Sequence, residues 1–467
     1  MTIGAETPQE QGLEARRIAS TFRVLAVVQS TLIFTIALIM IPLPAIAVEF
    51  GLGVADVLLL QIAYGLPFSG LLLFGGRLAD RFGGRPMFLA SLAAFGAASL
   101  GAAVASDFHL LVGMRFIQGA AAALAAPAAM AILRLLFRDQ ADYSRAMATW
   151  GGVSVLGAVV GFVTSGIVIT WLSWRWMFAV PVVVSLFGIL AISRLTRGAG
   201  HHERVRPGLD PGGALLATAG IVASSVGFIA SHSYHWGSVA VIGPLGAGLA
   251  LLAVFLFAET KVRDPLLPPS FLCSSRRAVG LVGMLFAAAG SLLIEFVLLF
   301  YLQTAKGWSP LATSLAFLPF VGCILLSNGL AARLTMRIGA ARVIAAGSAT
   351  GACGLLLLAL LDRETTYLAV LLPAQILLAV GLSLLFSGSA VMATSNVADN
   401  EGGLAGGVLN TAMELGPTIG FSALMAIAAT QSDAIRGYAW AFGAAGIGYL
   451  CLAAMAGAMA SRRFGQP

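Results

Sequence analysis

The sequence contains very few charged residues. Only 10% of its 467 residues are Asp, Glu, Lys or Arg, and 59% are apolar, whereas soluble proteins average roughly 25% charged residues. This composition excludes a soluble globular enzyme and predicts a chain with many membrane spans. The net charge of +7 does not indicate nucleic-acid binding, because the basic residues fall in short connections between apolar runs.

Cysteine clusters and catalytic motifs are also missing. The four cysteines are dispersed, and their spacing fits neither a metal site nor a disulfide framework. The sequence has no Gly-x-x-x-x-Gly-Lys-Ser/Thr phosphate-binding loop, so ATP is not expected as a direct energy source. No nucleophile–base set is visible in the apolar runs either. We therefore expect no enzyme activity, no cofactor and no metal.

Long apolar runs dominate what is present. A helix needs about 20 apolar residues to cross a bilayer, and the sequence offers fourteen such runs. The predicted spans are 24–48, 54–75, 86–105, 109–132, 147–170, 177–195, 212–231, 236–258, 278–303, 310–332, 342–361, 366–394, 403–429 and 437–459.

A polar stretch between predicted spans 2 and 3 has a weaker copy further along the chain. Gly76–Pro86 contains Arg77, Leu78, Arg81 and Gly83, and Arg333, Leu334, Arg337 and Gly339 repeat them 256 residues later. A charged stretch between two apolar runs is expected to form a turn in water. At about 33 residues per span, the offset corresponds to eight spans, which predicts two six-helix halves separated by two inserted helices.

This repeat divides the chain into seven predicted segments. They are a tail at 1–23, an N-terminal six-helix bundle at 24–196, a linker at 197–211, two inserted helices at 212–258, a linker at 259–277, a C-terminal six-helix bundle at 278–460 and a tail at 461–467.

The distribution of basic residues predicts the orientation. All but five of the 27 Lys and Arg residues fall in the tails and on one side of the spans, and the side rich in Lys and Arg is cytoplasmic. Both termini and both linkers are therefore expected in the cytoplasm. The predicted outer boundary carries a belt of six tryptophans: Trp171, Trp174, Trp176, Trp236, Trp308 and Trp440.

Several motifs together resemble the major facilitator superfamily, specifically its fourteen-span drug:proton antiporter family, over essentially the whole chain. The motifs are Gly76-x-Leu78-Ala79-Asp80-Arg81-x-Gly83-x-Arg85, Arg115-Phe116-Ile117-Gln118-Gly119, Gly157-x-x-x-Gly161 with Gly166, Ser173-Trp174-Arg175-Trp176-Met177-Phe178, Pro265-Leu266-Leu267-Pro268 and Gly407-Val408-Leu409-Asn410-Thr411.

The resemblance implies an all-α transporter that exports amphipathic drugs or antibiotics across the plasma membrane by alternating access. Protons, the lipid bilayer and a small organic substrate would be its partners, and it would act as a monomer. Gly76, Asp80, Arg81, Gly83 and Arg85 would form an inner gate, in which Asp80 docks on the start of span 13. Arg81 and Arg85 are expected to pair with Asp139 or Asp142.

Two positions depart from the family pattern. The first span usually carries an acidic residue that takes part in proton coupling, and Thr35 stands at the corresponding position. The antiporter motif of span 5 usually reads Gly-Pro, but here it is Gly161-Phe162. The inference to the fold is unaffected, whereas the inference to proton-coupled export has less support from the sequence.

Three ionisable residues inside the predicted spans are the main candidates for coupling, because such groups are costly in a membrane. Arg115 faces the cavity in one interpretation and bonds backbone carbonyls in the other. Glu295 is our leading candidate for proton and substrate-charge binding, in place of the missing carboxylate of span 1; alternatively it stays neutral and bonds a neighbouring helix. Glu414 is equally compatible with a proton site and a helix-packing hydrogen bond.

Further polar residues could line a substrate cavity, although each also fits a hydrogen bond between helices. They are Thr31, Thr35, Gln61, Tyr64, Gln118, Ser291 and Asn410. Gly157, Gly161 and Gly166 are predicted to allow close helix packing. Two other functions remain open: a facilitator or importer of one specific solute, and a membrane receptor or scaffold that lost transport.

Overall fold

The computed structural model is all helical in the residues it describes, which are 8–137, 139–195, 210–262, 265–267, 271, 274–395 and 402–461. The linker predicted at 197–211 lies largely outside these ranges, and the linker predicted at 259–277 is described in part. The helices of the first part are α1 (Pro8–Ala37), α2 (Leu43–Phe50), α3 (Val54–Ile62), α4 (Gly65–Phe82), α5 (Gly84–Ala103), α6 (Phe108–Leu136), α7 (Gln140–Trp171) and α8 (Ala179–Leu195).

The remaining helices follow after the first linker. They are α9 (Pro211–Ala230), α10 (Val239–Glu259), α11 (Ser275–Phe300), α12 (Pro310–Ala316), α13 (Leu318–Ile338), α14 (Ala340–Leu358), α15 (Leu372–Ala393), α16 (Gly402–Leu415), α17 (Phe421–Ala428) and α18 (Ala434–Ser461).

Thirteen helical segments of the described part are long and apolar enough to cross a membrane. Helix α7 occupies the position of predicted span 5, and many of its side chains before Val160 lie outside the described set. The structure therefore supports a polytopic membrane protein, and the fourteenth span stays a prediction.

Several of the predicted spans are not continuous α-helices, which corrects the sequence prediction. Span 1 is interrupted between α1 and α2, where Pro42 and Pro44 have no amide hydrogen to donate to the preceding turn. Span 13 is interrupted by a π-helical segment at Gly416–Gly420, which includes Pro417.

Spans 2 and 10 are broken at corresponding places and extend beyond their predicted ends. The chain breaks between α3 and α4 at Ala63 and Tyr64, and between α12 and α13 at Phe317. Pro319, the second residue of α13, has no amide hydrogen to donate to the preceding turn, where α12 ends. Helices α4 and α13 then continue to Phe82 and Ile338.

The repeated polar stretch is mostly helical, so the prediction of a long charged turn was wrong. Only one residue interrupts the helix in each copy: Gly83 between α4 and α5, and Gly339 between α13 and α14. Gly83 has φ 93° and ψ 142°, and Gly339 has φ 88° and ψ 150°. Both conformations are nearly exclusive to glycine, and their near identity supports the internal repeat.

Helices α1 and α3–α8 form one packed group, and helices α11–α18 form a second. Within the first, Gly75 of α4 and Gly157 of α7 allow backbone contact with Ala123 of α6 and Ser30 of α1. In the second, Gly347 of α14 lies in similarly close contact with Leu385 of α15. Helices α9 and α10 pack on each other, and α9 contacts both α4 and α17.

The helix bundle has two ends. The Gly83 end holds Gly83, Gly339, the start of α9 and the end of α10. The Trp174 end holds the end of α2, the short 3₁₀ helix Trp174–Phe178 and the segment Tyr301–Ala305 that follows α11.

Candidate functional site

Arg115 is the most deeply buried charged residue of the described chain, with 0% exposure. It lies in α6, whose N-terminus Asp107 caps by accepting a 2.9 Å bond from the Leu110 amide. Its Nη1 donates to the Thr35 carbonyl at 3.0 Å and to Gln118 Oε1 at 3.4 Å. The i, i+3 spacing of Arg115 and Gln118 predicted their common helix face. No carboxylate pairs with the guanidinium in the described residues.

Thr35 interacts with Arg115 through its backbone, at the position where the family usually has an acidic side chain. Its hydroxyl donates to the Thr31 carbonyl at 2.7 Å, and the Thr31 hydroxyl donates to the Val27 carbonyl at 2.9 Å. Both hydroxyls are therefore used within α1, and both residues are buried. A carbonyl dipole offsets a positive charge less than a carboxylate does.

The ring of Tyr64 covers the other side of the guanidinium. The Arg115 Cζ atom lies 5.0 Å from the ring centroid, which is a cation–π contact. Tyr64 stands at the break before α4, and its hydroxyl donates to the Leu32 carbonyl at 3.4 Å. Gly119 makes this approach possible, because a Cβ there would overlap the Tyr64 carbonyl.

Glu414 reaches this group from the other half of the molecule. It lies in α16 with 8% exposure, and Tyr64 is within electrostatic range of both Arg115 and Glu414. None of the described residues donates a hydrogen bond to its carboxyl group. Gly65 and Thr418 meet next to it, where a Cβ on Gly65 would lie 3.0 Å from the Thr418 methyl. Asn410, one turn earlier, is exposed.

Glu295 lies apart from Arg115 and Tyr64. It is half-buried in α11, and its Oε1 accepts a 2.9 Å bond from the Ser291 hydroxyl one turn earlier. This is its one side-chain hydrogen bond with a described residue. The structure thus places both carboxyl groups in apolar spans of the second half, and Glu414 is within electrostatic range of Tyr64, the residue that covers Arg115.

The other predicted cavity residues are buried in the first half. Gln118 Nε2 donates to the Ser99 hydroxyl at 2.8 Å, so Gln118 links α6 to α5. Gln61 Oε1 is buried without a hydrogen-bond partner in the described structure. Among the described residues, no three His, Cys, Asp or Glu side chains gather into a potential metal site.

The predicted gate residues lie around Gly83. Asp80 is exposed, and Arg85 Nη2 donates to the Ser193 carbonyl of α8 at 3.2 Å. The docking of Asp80 on the start of span 13 involves side chains outside the described set, and the pairing of Arg85 with Asp139 or Asp142 stays a prediction. Sequence reasoning missed Arg77, whose Nη2 donates to the Pro265 carbonyl at 2.7 Å.

A second cluster that sequence reasoning missed lies at the Trp174 end. Glu49 Oε1 pairs with Arg175 Nη1 at 2.7 Å, and Glu49 Oε2 accepts a 2.7 Å bond from Trp174 Nε1. Trp174 is only 3% exposed, so its assignment to the aromatic belt was wrong, whereas Trp171 and Trp176 are exposed at 69% and 63%. Burial opposes ionisation of Glu49, but bonds from Trp174 and Arg175 hold its pKa below 4.5.

Contacts across the two halves also occur at the Trp174 end. The rings of Phe162 in α7 and Phe317 are stacked with centroids 5.5 Å apart. Gly166 of α7 lies against Ser314 of α12, while Gly157 and Gly161 face α1. Gln303 Nε2 donates to the Ile41 carbonyl at 3.3 Å. Phe162, which departs from the family motif, thus packs against the second half.

Comparison with known proteins identifies this arrangement. A sequence profile of the Major Facilitator Superfamily matches residues 24–327. The chain belongs to this superfamily. Membership makes it a multi-span membrane transporter rather than an enzyme, and it explains the two helix groups and the internal repeat.

Two curated relatives and one solved structure show which members of the superfamily this chain is similar to. It is 33% identical to "Puromycin resistance protein pur8" of Streptomyces alboniger over 97% of this chain and 93% of that protein. It is also 33% identical to "Cephamycin export protein CmcT" of Amycolatopsis lactamdurans, over 88% and 85%. The chain can also be superposed on a crystal structure of a POT family transporter in complex with a thioalcohol-conjugated peptide. The match covers 97% of each chain, with a TM-score of 0.71 and 14% sequence identity, which shows a shared fold.

Proposed function

We propose that this chain exports amphipathic drugs or antibiotics across the plasma membrane in exchange for protons. The observation that carries the proposal is its similarity, over 97% of its length, to a protein named for puromycin resistance. The similarity to a protein named for cephamycin export supports the outward direction. The Gly83 end and both termini then lie in the cytoplasm, as the Lys and Arg distribution predicts.

Residues 24–196 and 278–460 would form the two halves that alternate in access, with 212–258 inserted between them. In the structure the halves meet at the Trp174 end through Phe162 and Phe317, while Asp80 at the opposite end is exposed. Transport would then require the contacts at the Trp174 end to open as Asp80 docks on the start of span 13. Such a gate contact biases a two-state equilibrium only if it differs between the states.

Proton binding is assigned to Glu414 and Glu295. A carboxyl group in a membrane interior is stable when it is neutral or paired. The buried positive charge of Arg115 would stabilise the ionised form of Glu414 when the two side chains approach. When they separate, Glu414 would bind a proton and become neutral. Glu295, bonded only to Ser291 in the described structure, is free of such a cation and is the candidate for binding a charge on the substrate.

The substrate class follows from the surroundings of these residues. Apolar and small side chains dominate the described helices, and few polar groups are available to fix one specific solute. A cavity lined by such side chains would favour amphipathic molecules and broad specificity. A facilitator of one polar solute would need more hydrogen-bonding groups.

Drug accumulation in bacterial cells tests the proposal. The chain is produced in a drug-sensitive strain without its own exporters, and the uptake of a panel of amphipathic antibiotics is measured before and after an uncoupler collapses the proton gradient. The proposal expects lower accumulation of at least one compound, reversed by the uncoupler. Increased accumulation would indicate an importer, and unchanged accumulation across the panel would favour a receptor or scaffold.

A further inference from the structure

Two buried carboxyl groups meet at the Gly83 end of the inserted helices. Asp210 directly precedes α9, and its Oδ1 accepts a 2.8 Å bond from the Gly213 amide, which caps the helix. Glu259 is the last residue of α10, and its Oε2 accepts a 2.8 Å bond from the Leu267 amide. Their exposures are 9% and 2%.

The remaining oxygen of each carboxyl group faces the other. Asp210 Oδ2 and Glu259 Oε1 have no further partner in the described structure, and the two side chains are within hydrogen-bonding distance of each other. Gly213 leaves the space for both oxygens, because a Cβ at that position would overlap each of them. Two carboxylates in such contact repel, and a hydrogen bond between them requires a proton.

The neighbouring charged groups do not replace this proton. Helix α4 carries Arg77, Asp80 and Arg81 nearby, and the linker carries Lys261. Arg77 donates to Pro265, and the Lys261 ammonium lies 5.7 Å from the Phe257 ring. Neither Arg77 nor Lys261 forms an ion pair with Asp210 or Glu259 in the described structure.

The same carboxyl pair holds the chain that follows α10. Glu259 binds the Leu267 amide, and Pro265, two residues before Leu267, binds Arg77 of α4. The segment Pro265–Leu267 is thereby held between Glu259 at the end of α10 and Arg77 of α4.

We propose that Asp210 and Glu259 bind one shared proton, and that this proton keeps the segment Pro265–Leu267 attached to α4. The site is separate from Arg115, Glu295 and Glu414, and the proposal does not depend on the direction or the energy source of transport. Loss of the proton leaves two buried negative charges, and separation of α9 from α10 at this end then relieves their repulsion.

Hydrogen exchange of the Leu266 and Leu267 amides in the purified full-length chain tests this proposal. The folded state holds a proton that the open state releases, so protection must fall as pH rises. We expect the protection factor, corrected for intrinsic exchange, to decrease by up to about tenfold per pH unit between about pH 4.5, where an ordinary carboxyl group ionises, and about pH 8, by which the shared proton is lost. A wild-type protection factor that is constant over this range overturns the proposal without any variant.

Two variants identify the carboxyl groups responsible. Glu259→Gln provides an amide donor to Asp210 at every pH, and Asp210→Asn retains a residue that caps helices well. Each variant is expected to keep the segment protected with a pH dependence at least about tenfold smaller over the same range. Glu49→Gln, which changes a carboxyl at the Trp174 end, serves as the control and should retain the wild-type profile. A wild-type profile in both Glu259→Gln and Asp210→Asn would contradict the assignment.

Discussion

Arg115 shows how much a single residue can reveal before a structure is known. Its place in a span and the helix face that it shares with Gln118 were both predicted from the sequence. The sequence could not show that Thr35 contributes its backbone carbonyl, because every residue has one. Nor could it bring Glu414 near Tyr64, since that proximity depends on packing between helices more than 300 positions apart.

Arg115→Lys tests whether the guanidinium itself is required. A lysine keeps the charge, but its single ammonium cannot bond Thr35 and Gln118 while also covering the Tyr64 ring. Losing one charged hydrogen bond costs about 1.5–3 kcal/mol, so we expect the transport rate to fall by at least about tenfold. Transport is measured in vesicles alongside Arg134→Lys, an exposed arginine of the same helix, which should behave as wild type. Equal rates for the two variants would rule out this role.

Glu49 is expected to make the folding stability of the protein depend on pH in the acidic range. Its pKa lies below 4.5 in the folded state because Trp174 and Arg175 stabilise the carboxylate, although burial opposes this. The stabilisation is therefore present above about pH 4.5 and is lost as the pH falls through the lowered pKa. Since Glu49 and Arg175 are exposed at 41% and 31%, solvent screening limits the effect to about 1 kcal/mol or less.

Thermal unfolding of Glu49→Gln against wild type measures this contribution. We expect the variant to be less stable at neutral pH and the difference to disappear on acidification below about pH 4.5. A difference that grows towards acidic pH would have the wrong sign for a lowered pKa.

At the scale of helices, apolar runs predicted where spans lie but not where they break. The spans were found because about 20 apolar residues are needed in a membrane. The interruptions at Ala63–Tyr64 and Phe317 have weak local signals and depend on the tertiary packing around them. The extension of α4 to Phe82 was missed because charged residues at a helix end were interpreted as a turn. One glycine with positive φ is sufficient to reverse the chain there.

Gly339→Ala isolates the role of that backbone conformation. A Cβ at Gly339 would meet no atom within 4 Å, so any effect comes from the φ of 88°. We expect a loss of about 1–3 kcal/mol of stability, and a similar loss for Gly83→Ala. The matched control is Gly329→Ala in α13, which also meets open space but is helical; alanine there should be neutral or stabilising. Equal thermal stability of Gly339→Ala and Gly329→Ala would refute the explanation.

At the scale of the whole molecule, the internal repeat was the most informative feature of the sequence. The 256-residue offset between Arg77 and Arg333 predicted two similar halves with an insertion, and Gly83 and Gly339 take up nearly the same backbone conformation. The contacts between the halves could not be predicted. Phe162 appeared only as a departure from a motif, and its partner Phe317 lies 155 residues away.

A double-mutant cycle on Phe162→Leu and Phe317→Leu tests the contact between the halves. Stacked aromatic pairs contribute about 0.5–1.5 kcal/mol beyond burial, and we expect this coupling in thermal stability together with a changed transport rate. Phe22 and Phe137, whose rings lie 5.7 Å apart within the first half, form the control pair. Their substitution should lower stability and leave the rate unchanged. Identical effects of the two pairs on the rate would argue against a gate at Phe162.

The central claim is that carboxyl groups of the second half couple substrate export to protons in a chain without the usual acidic residue in span 1. Proton movement into liposomes that contain the purified protein tests it most directly, with an exported antibiotic as the driving substrate. We predict substrate-driven proton flux in the wild type and in Glu364→Gln, an exposed carboxyl at the Trp174 end, and strongly reduced flux in Glu414→Gln and Glu295→Gln. Wild-type flux in both Glu414→Gln and Glu295→Gln, or antibiotic transport without proton movement, would contradict the account.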